Sequence, residues 1–325
     1  MSISRRTLLK GMAAMPLAMG SAFAAESLFT QPIQIMMGYA AGGTADISWR
    51  TIAPELSKRI GQPIVIQNRP GAGGIVGSQA ALQAPADGHT YVLAATGNFG
   101  ITPVLFNSLP FDPVEDFVMV SQAAAFDYVF AVGSDSPFGS IGDVIAYAKA
   151  NPGKLSIGTV QVGSAQFFAA ELFKSMSGID AVTVPYRNSG DVVSAVRSGD
   201  VQLMVETITP VVAQIKAGAV KALGITGKES FPALPDVKPI SGNGLDGYVV
   251  TAWNGLAAKK GTPEKAIAAM NSALKEVLEL PEIQSRFIEL GMVARHSTPE
   301  ELRARQLEDI ERWGKVMKET NLPKQ

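Results

Sequence analysis

The 325-residue chain contains no cysteine and only two histidines, His89 and His296, far apart in sequence. The first absence excludes disulfides and thiol chemistry, so stability has to come from packing. The second leaves too few ligands for the usual transition-metal clusters. It also leaves little material for Cys-His or Ser-His-Asp constellations. His89 lies in the turn Ala86-Asp87-Gly88-His89-Thr90, and His296 in a polar stretch ahead of a helix. Both read as solvated or turn histidines. The acids are spread over turns and helix faces, with no pair set apart for general acid–base work. No catalytic residue, metal ligand or cofactor is therefore assigned. An excess of one charge is also lacking, since 28 Lys and Arg stand against 29 Asp and Glu. No basic patch of the kind that grips nucleic acid is apparent.

Beyond the leader, no apolar run reaches the ~20 residues of a membrane-spanning helix. The leader itself has three parts. Ser4-Arg5-Arg6-Thr7-Leu8-Leu9-Lys10 reads as a twin-arginine export signal. An apolar stretch from Gly11 to Ala25 follows, and Ala22-Phe23-Ala24 is a small-x-small cleavage site. Residues 1–24 are thus expected to be a signal peptide cleaved near Ala24, and the mature protein periplasmic. Loss of Arg5, Arg6 and Lys10 takes the formal charge from −1 to about −4. A mildly acidic chain still binds anions where local dipoles converge.

The remainder is long enough for two domains, and 46% of the chain is hydrophobic. Short β-like runs alternate with helix-length segments. Strands are expected at Ile33–Tyr39, Pro63–Gln67, Tyr91–Ala95, Phe117–Ser121 and Tyr128–Gly133. Others are expected at Leu155–Gly158, Ala181–Tyr186, Val201–Val205, Val220–Thr226 and Tyr248–Ala257. This pattern argues for an α/β fold with largely parallel sheets.

Several strand-to-helix loops have the composition of anion sites. Gly42-Gly43-Thr44 follows Tyr39, with Asp46 close behind. Glycines let the backbone approach a ligand, and the free N–H groups of a helix start favour negative charge. The competing reading is an ordinary turn with Thr44 as a helix cap. Asp46 either takes part in the site of a positively charged ligand or braces the loop, the plainer of the two. Gly71, Gly73, Gly74 and Gly77 form a second such loop. Its G-x-G-x-x-x-G spacing puts Val76 where a dinucleotide fingerprint needs its third glycine. An exported dinucleotide-dependent oxidoreductase remains an alternative on this loop alone. Thr96 and Asn98 end the third strand, where open α/β sheets bind ligands. Gly163-Ser164 and Ser189-Gly190 open later helices, each as a cap or as a ligand donor. Arg187 offers a bidentate carboxylate partner or an ordinary exposed arginine. Glu206 ends the strand Val201–Val205, and either meets a positive ligand group or braces a hinge. Phe99 and Phe126 are available to stack on a planar ligand, or fill the core.

Together these motifs resemble the Bug family, the receptors of tripartite tricarboxylate transporters. The resemblance is carried by Tyr39-Ala40-Ala41-Gly42-Gly43-Thr44-Ala45-Asp46 and Asn68-Arg69-Pro70-Gly71-Ala72-Gly73-Gly74. Ala86-Asp87-Gly88 and Leu109-Pro110-Phe111-Asp112-Pro113 add to it. So do Gly163-Ser164 with Ala169-Ala170-Glu171-Leu172-Phe173, Val184-Pro185-Tyr186-Arg187-Asn188-Ser189-Gly190, and Leu234-Pro235-Asp236-Val237. It implies a two-lobed periplasmic binding protein of type II, each lobe a mainly parallel sheet flanked by helices. Lobe one would hold residues 26–124 plus 250–325, and lobe two residues 125–249, with crossings near Ala123–Phe126 and Val249–Ala252. It also implies a monomer that captures a small organic acid and presents it to integral-membrane transporter subunits. A ligand-sensing partner of a membrane kinase would share the same binding event. This chain departs from the family pattern at Phe167, commonly His, and at Glu206, often Asp. The expected ligand set is Tyr39, Gly42, Gly43, Thr44, Asp46, Gly73, Gly74, Thr96, Asn98, Gly163, Ser164, Phe167, Ser189, Gly190 and Glu206.

Overall fold

The computed structural model describes residues 28–319 and 323–325. The expected signal peptide lies outside the described residues. In chain order the elements are β1 (Ile33–Met37), α1 (Thr44–Ile60), β2 (Ile64–Asn68), α2 (Ile75–Gln83), β3 (Thr90–Ala95) and α3 (Thr102–Leu105). Next come β4 (Phe117–Gly133), α4 (Ile141–Ala150), β5 (Leu155–Val160), α5 (Ala165–Ser177), β6 (Ala181–Tyr186), α6 (Ser189–Ser198), β7 (Leu203–Thr207), α7 (Ile208–Lys216) and β8 (Val220–Ile225). The chain closes with β9 (Thr251–Lys259), α8 (Glu264–Leu278), α9 (Pro281–Glu289), β10 (Val293–Ala294) and α10 (Pro299–Glu319).

The strands run in the order β2-β1-β3-β9-β4-β7-β5-β6, with β8 and β10 also paired to β4. Strands β1, β2 and β3 are parallel, as are β5, β6 and β7. The long segments β9 and β4 join these groups by antiparallel pairing. Each half is therefore a mixed sheet rather than a mainly parallel one. Strands β9 and β4 run against their neighbours β3 and β7, and it is this antiparallel pairing that makes both sheets mixed.

Strand β4 joins the two sheets. Its first part, Phe117 to Asp127, pairs with β9. From Tyr128 it pairs with β7, and from Val129 with β8. The sequence suggests two strands here, Phe117–Ser121 and Tyr128–Gly133, separated by residues 122–127. The structure makes them one, because two register shifts, at Val120 and Ala123, let the strand bend while the backbone stays extended.

Helix ends follow local chemistry. Ser140 caps α4 by accepting from the Asp143 N–H at 3.1 Å. Asn188 caps α6 by accepting from the Asp191 N–H at 2.9 Å. Gly61, Gly178 and Gly199 close α1, α5 and α6 in the left-handed conformation.

One core packs α1, α8 and α9 against the first sheet around Trp49, Tyr91 and Phe287. Another packs α4 and α5 against the second sheet around Phe130, Phe173 and Tyr248. Helix α10 reaches from one half to the other. Trp253 Nε1 donates to Asp309 at 2.7 Å, and Trp313 packs edge-on to Phe168 of α5 at 5.0 Å.

Candidate functional site

The parallel strands of both halves end around one cavity, where open α/β sheets place ligands. From the first half come Tyr39 to Ala41, Gly43 to Ala45, and Ala95 to Gly97. From the second come Val160, Gln161, Ala165, Gln166, Arg187 to Ser189, and Thr207. Strands β4 and β9 form the floor with Phe126, Tyr128 and Ala252 to Asn254. The cavity measures about 80 Å³, room for roughly five to eight water-sized groups at ~10–15 Å³ each. Among the described residues lining it, Arg187 is the one that carries a charge.

Four helices, α1, α5, α6 and α7, start at this space, each with its cap residue or first turn beside the cavity. The starts of α5 and α6 have side-chain caps on Ser164 and Asn188. Helix α7 has none, because the Thr207 hydroxyl at its cap position donates to Glu206 instead, and helix α1 has none, because Gly43 stands at its cap position. Its first-turn N–H groups therefore lack the usual side-chain acceptor, and they lie against the cavity at the positive end of a 17-residue helix.

Asp46 holds that helix start in place. It accepts from the Gly42 N–H at 3.0 Å, from Arg50 Nε at 2.9 Å and from Asn68 Nδ2 at 3.0 Å. Burial pushes its carboxyl up, but these hydrogen bonds outweigh burial and leave it below the ordinary aspartate value of 3.8. A lowered acid stabilises the fold where it is ionised, above that value, and the contribution is lost as pH falls through the folded value. Asp46→Asn is accordingly expected to cost about 2 kcal/mol at pH 7, the worth of one charge-assisted bond. The difference from wild type should fade in urea titrations at acid pH. A difference that persists undiminished at the lowest accessible pH would assign the loss to packing instead.

The halves touch directly across the cavity. Thr44 Oγ1 donates to Thr207 Oγ1 at 2.5 Å, and Thr207 Oγ1 donates to Glu206 Oε1 at 3.0 Å. Gln166 Nε2 also donates to Glu206 Oε1, at 2.7 Å. Glu206 is fully buried behind Thr207, and burial pushes its carboxyl up despite these bonds. A second contact joins Gly73 to Gly163. A Cβ placed on Gly73 would lie 3.0 Å from the Gly163 carbonyl oxygen.

Of the expected ligand set, Tyr39, Gly43, Thr44, Thr96 and Ser189 line the cavity. The others lie beside it or behind it. The Gly42 N–H is occupied by Asp46. Gly190 is an exposed residue of the first turn of α6. Gly74 sits against Asn98. Asn98 is a buried staple, accepting from the Ala95 N–H at 2.9 Å and donating to the Leu93 carbonyl at 2.8 Å. The Ser164 hydroxyl accepts from the Phe167 N–H at 3.1 Å and donates to the Val160 carbonyl at 3.3 Å.

Phe167, expected to make the pocket wall apolar, faces a separate surface depression with Leu105, Val182 and Gln325. One residue is a turn of about 100° on a helix. Gln166 therefore meets the cavity, and its neighbour does not. The loop from Gly71 to Gly77 gives no space to a dinucleotide pyrophosphate. Its backbone is packed on Gly163, and Gly77 lies against Gly38.

Sequence reasoning missed Tyr128, Gln161, Gln166 and Asn254 as lining residues. One signal was available for Asn254, a carboxamide inside the otherwise apolar strand Thr251–Lys259.

The family model described as "Tripartite tricarboxylate transporter family receptor" (TctC) matches residues 48–322. The chain belongs to this receptor family. The UPF0065 protein in the tcbD-tcbE intergenic region of Pseudomonas sp. (strain P51) is 33% identical over 323 residues, 99% of this chain and 96% of that protein. Protein BugT of Bordetella pertussis (strain Tohama I) is 30% identical, covering 91% of each chain. Among solved structures, an R. palustris protein with adipate is 28% identical with a TM-score of 0.87, covering 90% of this chain and 98% of that one. MatC from Rhodopseudomonas palustris with bound malate is 29% identical with a TM-score of 0.84, covering 88% and 99%. The TctC receptor is thus a solute-binding protein of the Bug type, with the periplasmic binding protein fold. Among its described residues, no helix is long and apolar enough to cross a membrane.

Proposed function

We propose that this TctC receptor is a periplasmic monomer that closes on one small organic carboxylate and presents it to integral-membrane subunits of a tripartite tricarboxylate-type transporter. The observation that carries this reading is the uncapped start of α1 against the cavity between the halves, with Arg187 on the opposite half. Helix-terminal N–H groups and a guanidinium both favour an anion. A carboxylate between them would join the two halves and screen both from water, where modest polar contacts become strong. The binding of adipate and malate by similar proteins supports the same ligand class.

Strands β4 and β9 are the natural hinge, because both run through the floor of the cavity and link the sheets. Lobe one would then be 26–124 with 250–325, and lobe two 125–249. Ligand-driven closure is a population shift, with the membrane subunits reading the closed form. The twin-arginine leader would deliver the folded receptor to the periplasm.

Titration calorimetry with mono-, di- and tricarboxylates, aromatic acids and amino acids tests the reading. Native mass spectrometry should first establish that the protein is ligand-free. At least one carboxylate is expected to bind at micromolar concentration or below. Heat from none of them, on protein shown to be empty, would sink the proposal.

A further inference from the structure

The cavity floor holds two buried polar atoms without partners among the described residues, Asn254 Oδ1 and Tyr128 Oη. Asn254 is fully buried and Tyr128 is 1% exposed, and both residues line the cavity. The Asn254 amide has only one sensible orientation. Its Nδ2 donates to Ser48 Oγ at 3.1 Å. The Ser48 hydroxyl has already given its proton to the Ala45 carbonyl at 2.9 Å, so it can only accept. Oδ1 is left as an acceptor with no donor. Tyr128 Oη is left with a proton to give.

These two atoms make different demands. A carboxylate can accept from Tyr128. It cannot satisfy Asn254, because a fully ionised polycarboxylate has acceptors only. We infer that Asn254 and Tyr128 select a carboxylate carrying a hydroxyl group over the same acid without one. The inference rests on the carboxylate reading above and narrows it. A hydroxyl donates to Asn254 Oδ1 and keeps lone pairs for Tyr128. An ammonium group would also donate, but it cannot accept, and no described lining residue carries a negative charge to balance it. Glu206, a buried acid behind Thr207 and Gln166, accepts from both through Oε1; its Oε2 has no partner among the described residues, but Glu206 does not line the cavity.

The test uses one carbon skeleton with three substituents. Succinate, malate and aspartate differ only in hydrogen, hydroxyl or ammonium at one carbon. Glutarate, 2-hydroxyglutarate and glutamate repeat the series one methylene longer. Calorimetry on ligand-free receptor is expected to rank the hydroxy acid first in whichever series binds. Its margin over the plain acid should be about 5- to 100-fold, the cost of an unpaired buried acceptor. Tyr128→Phe and Asn254→Leu should each shrink that ratio toward one, and the ratio is insensitive to a general loss of folded protein.

A plain acid that binds as tightly as its hydroxy partner overturns the selectivity while leaving the carboxylate receptor intact. So does an amino acid that binds tightest. A hydroxy-to-plain ratio unchanged in both variants also overturns it. Binding by none of the six, alongside binding of another carboxylate in the wider panel, rejects the hydroxy-acid inference alone. Binding by no carboxylate at all removes both proposals.

Discussion

Gly73→Ala is expected to weaken ligand binding by about 10- to 100-fold while the unliganded protein stays folded. A Cβ at this position would lie 3.0 Å from the Gly163 carbonyl oxygen and 3.1 Å from its Cα and carbonyl carbon. All three are backbone atoms, so no flexible side chain can swing away. Gly73 also has φ +65°, a conformation that costs an L-residue about 1–2 kcal/mol. The strain is paid with the cleft open or closed and lowers stability only. The clash with Gly163 exists only when the halves meet, so it lowers affinity. Gly163→Ala, at φ +85° and 3.1 Å from Gly73 Cα, should act in the same direction. Calorimetry with a carboxylate that wild type binds gives the affinity, and small-angle scattering with and without it gives the closure. Wild-type affinity together with wild-type compaction in both variants would show that this contact is no part of the bound state.

Asp127→Asn is expected to stabilise the receptor by about 2 kcal/mol at pH 7.5 and to have little effect near pH 4. Asp127 is the last residue of β4 to pair with β9, at the point where the strand changes partners. Burial pushes its carboxyl up to about 6. Lys228, Glu229, Arg295 and Arg305 line the same depression, but no ion pair forms with Asp127 among the described residues. For an acid whose folded value is raised, the folded state holds the proton more tightly. Its favourable contribution is complete below the ordinary value of 3.8 and is lost as pH rises through about 6. The ionised group then burdens the fold at neutral pH, and a neutral isostere removes that burden. Urea unfolding across pH 4 to 8 measures it. A variant less stable than wild type at pH 7.5 would mean that the nearby arginines and lysine hold Asp127 ionised after all.

Local physics made much of the fold legible. Of the two sequence readings of Asp46, ligand contact or loop brace, the structure shows the bracing bonds, whose partners Gly42 and Arg50 lie within four residues. Ser164 likewise caps its own helix three residues on. Phe167 shows where such reading stops. Whether a helix turns Gln166 or Phe167 to the cleft depends on its rotation against β7, and no short-range pattern encodes that rotation. Asn254 and Ser48 are 206 positions apart, and nothing near either residue announces the other.

By itself, then, the sequence determined the α/β order of elements, the absence of thiol chemistry, and the family to which its glycine loops belong. Each depends on composition or on contacts within one turn or loop. Only the tertiary structure decided that the start of α1 is uncapped against a cavity, that Gly73 meets Gly163, and that Tyr128 and Asn254 form its floor. Those outcomes come from two sheets meeting along β4 and β9. The meeting brings together residues ninety or more positions apart, whose spacing along the chain carries no trace of their contact.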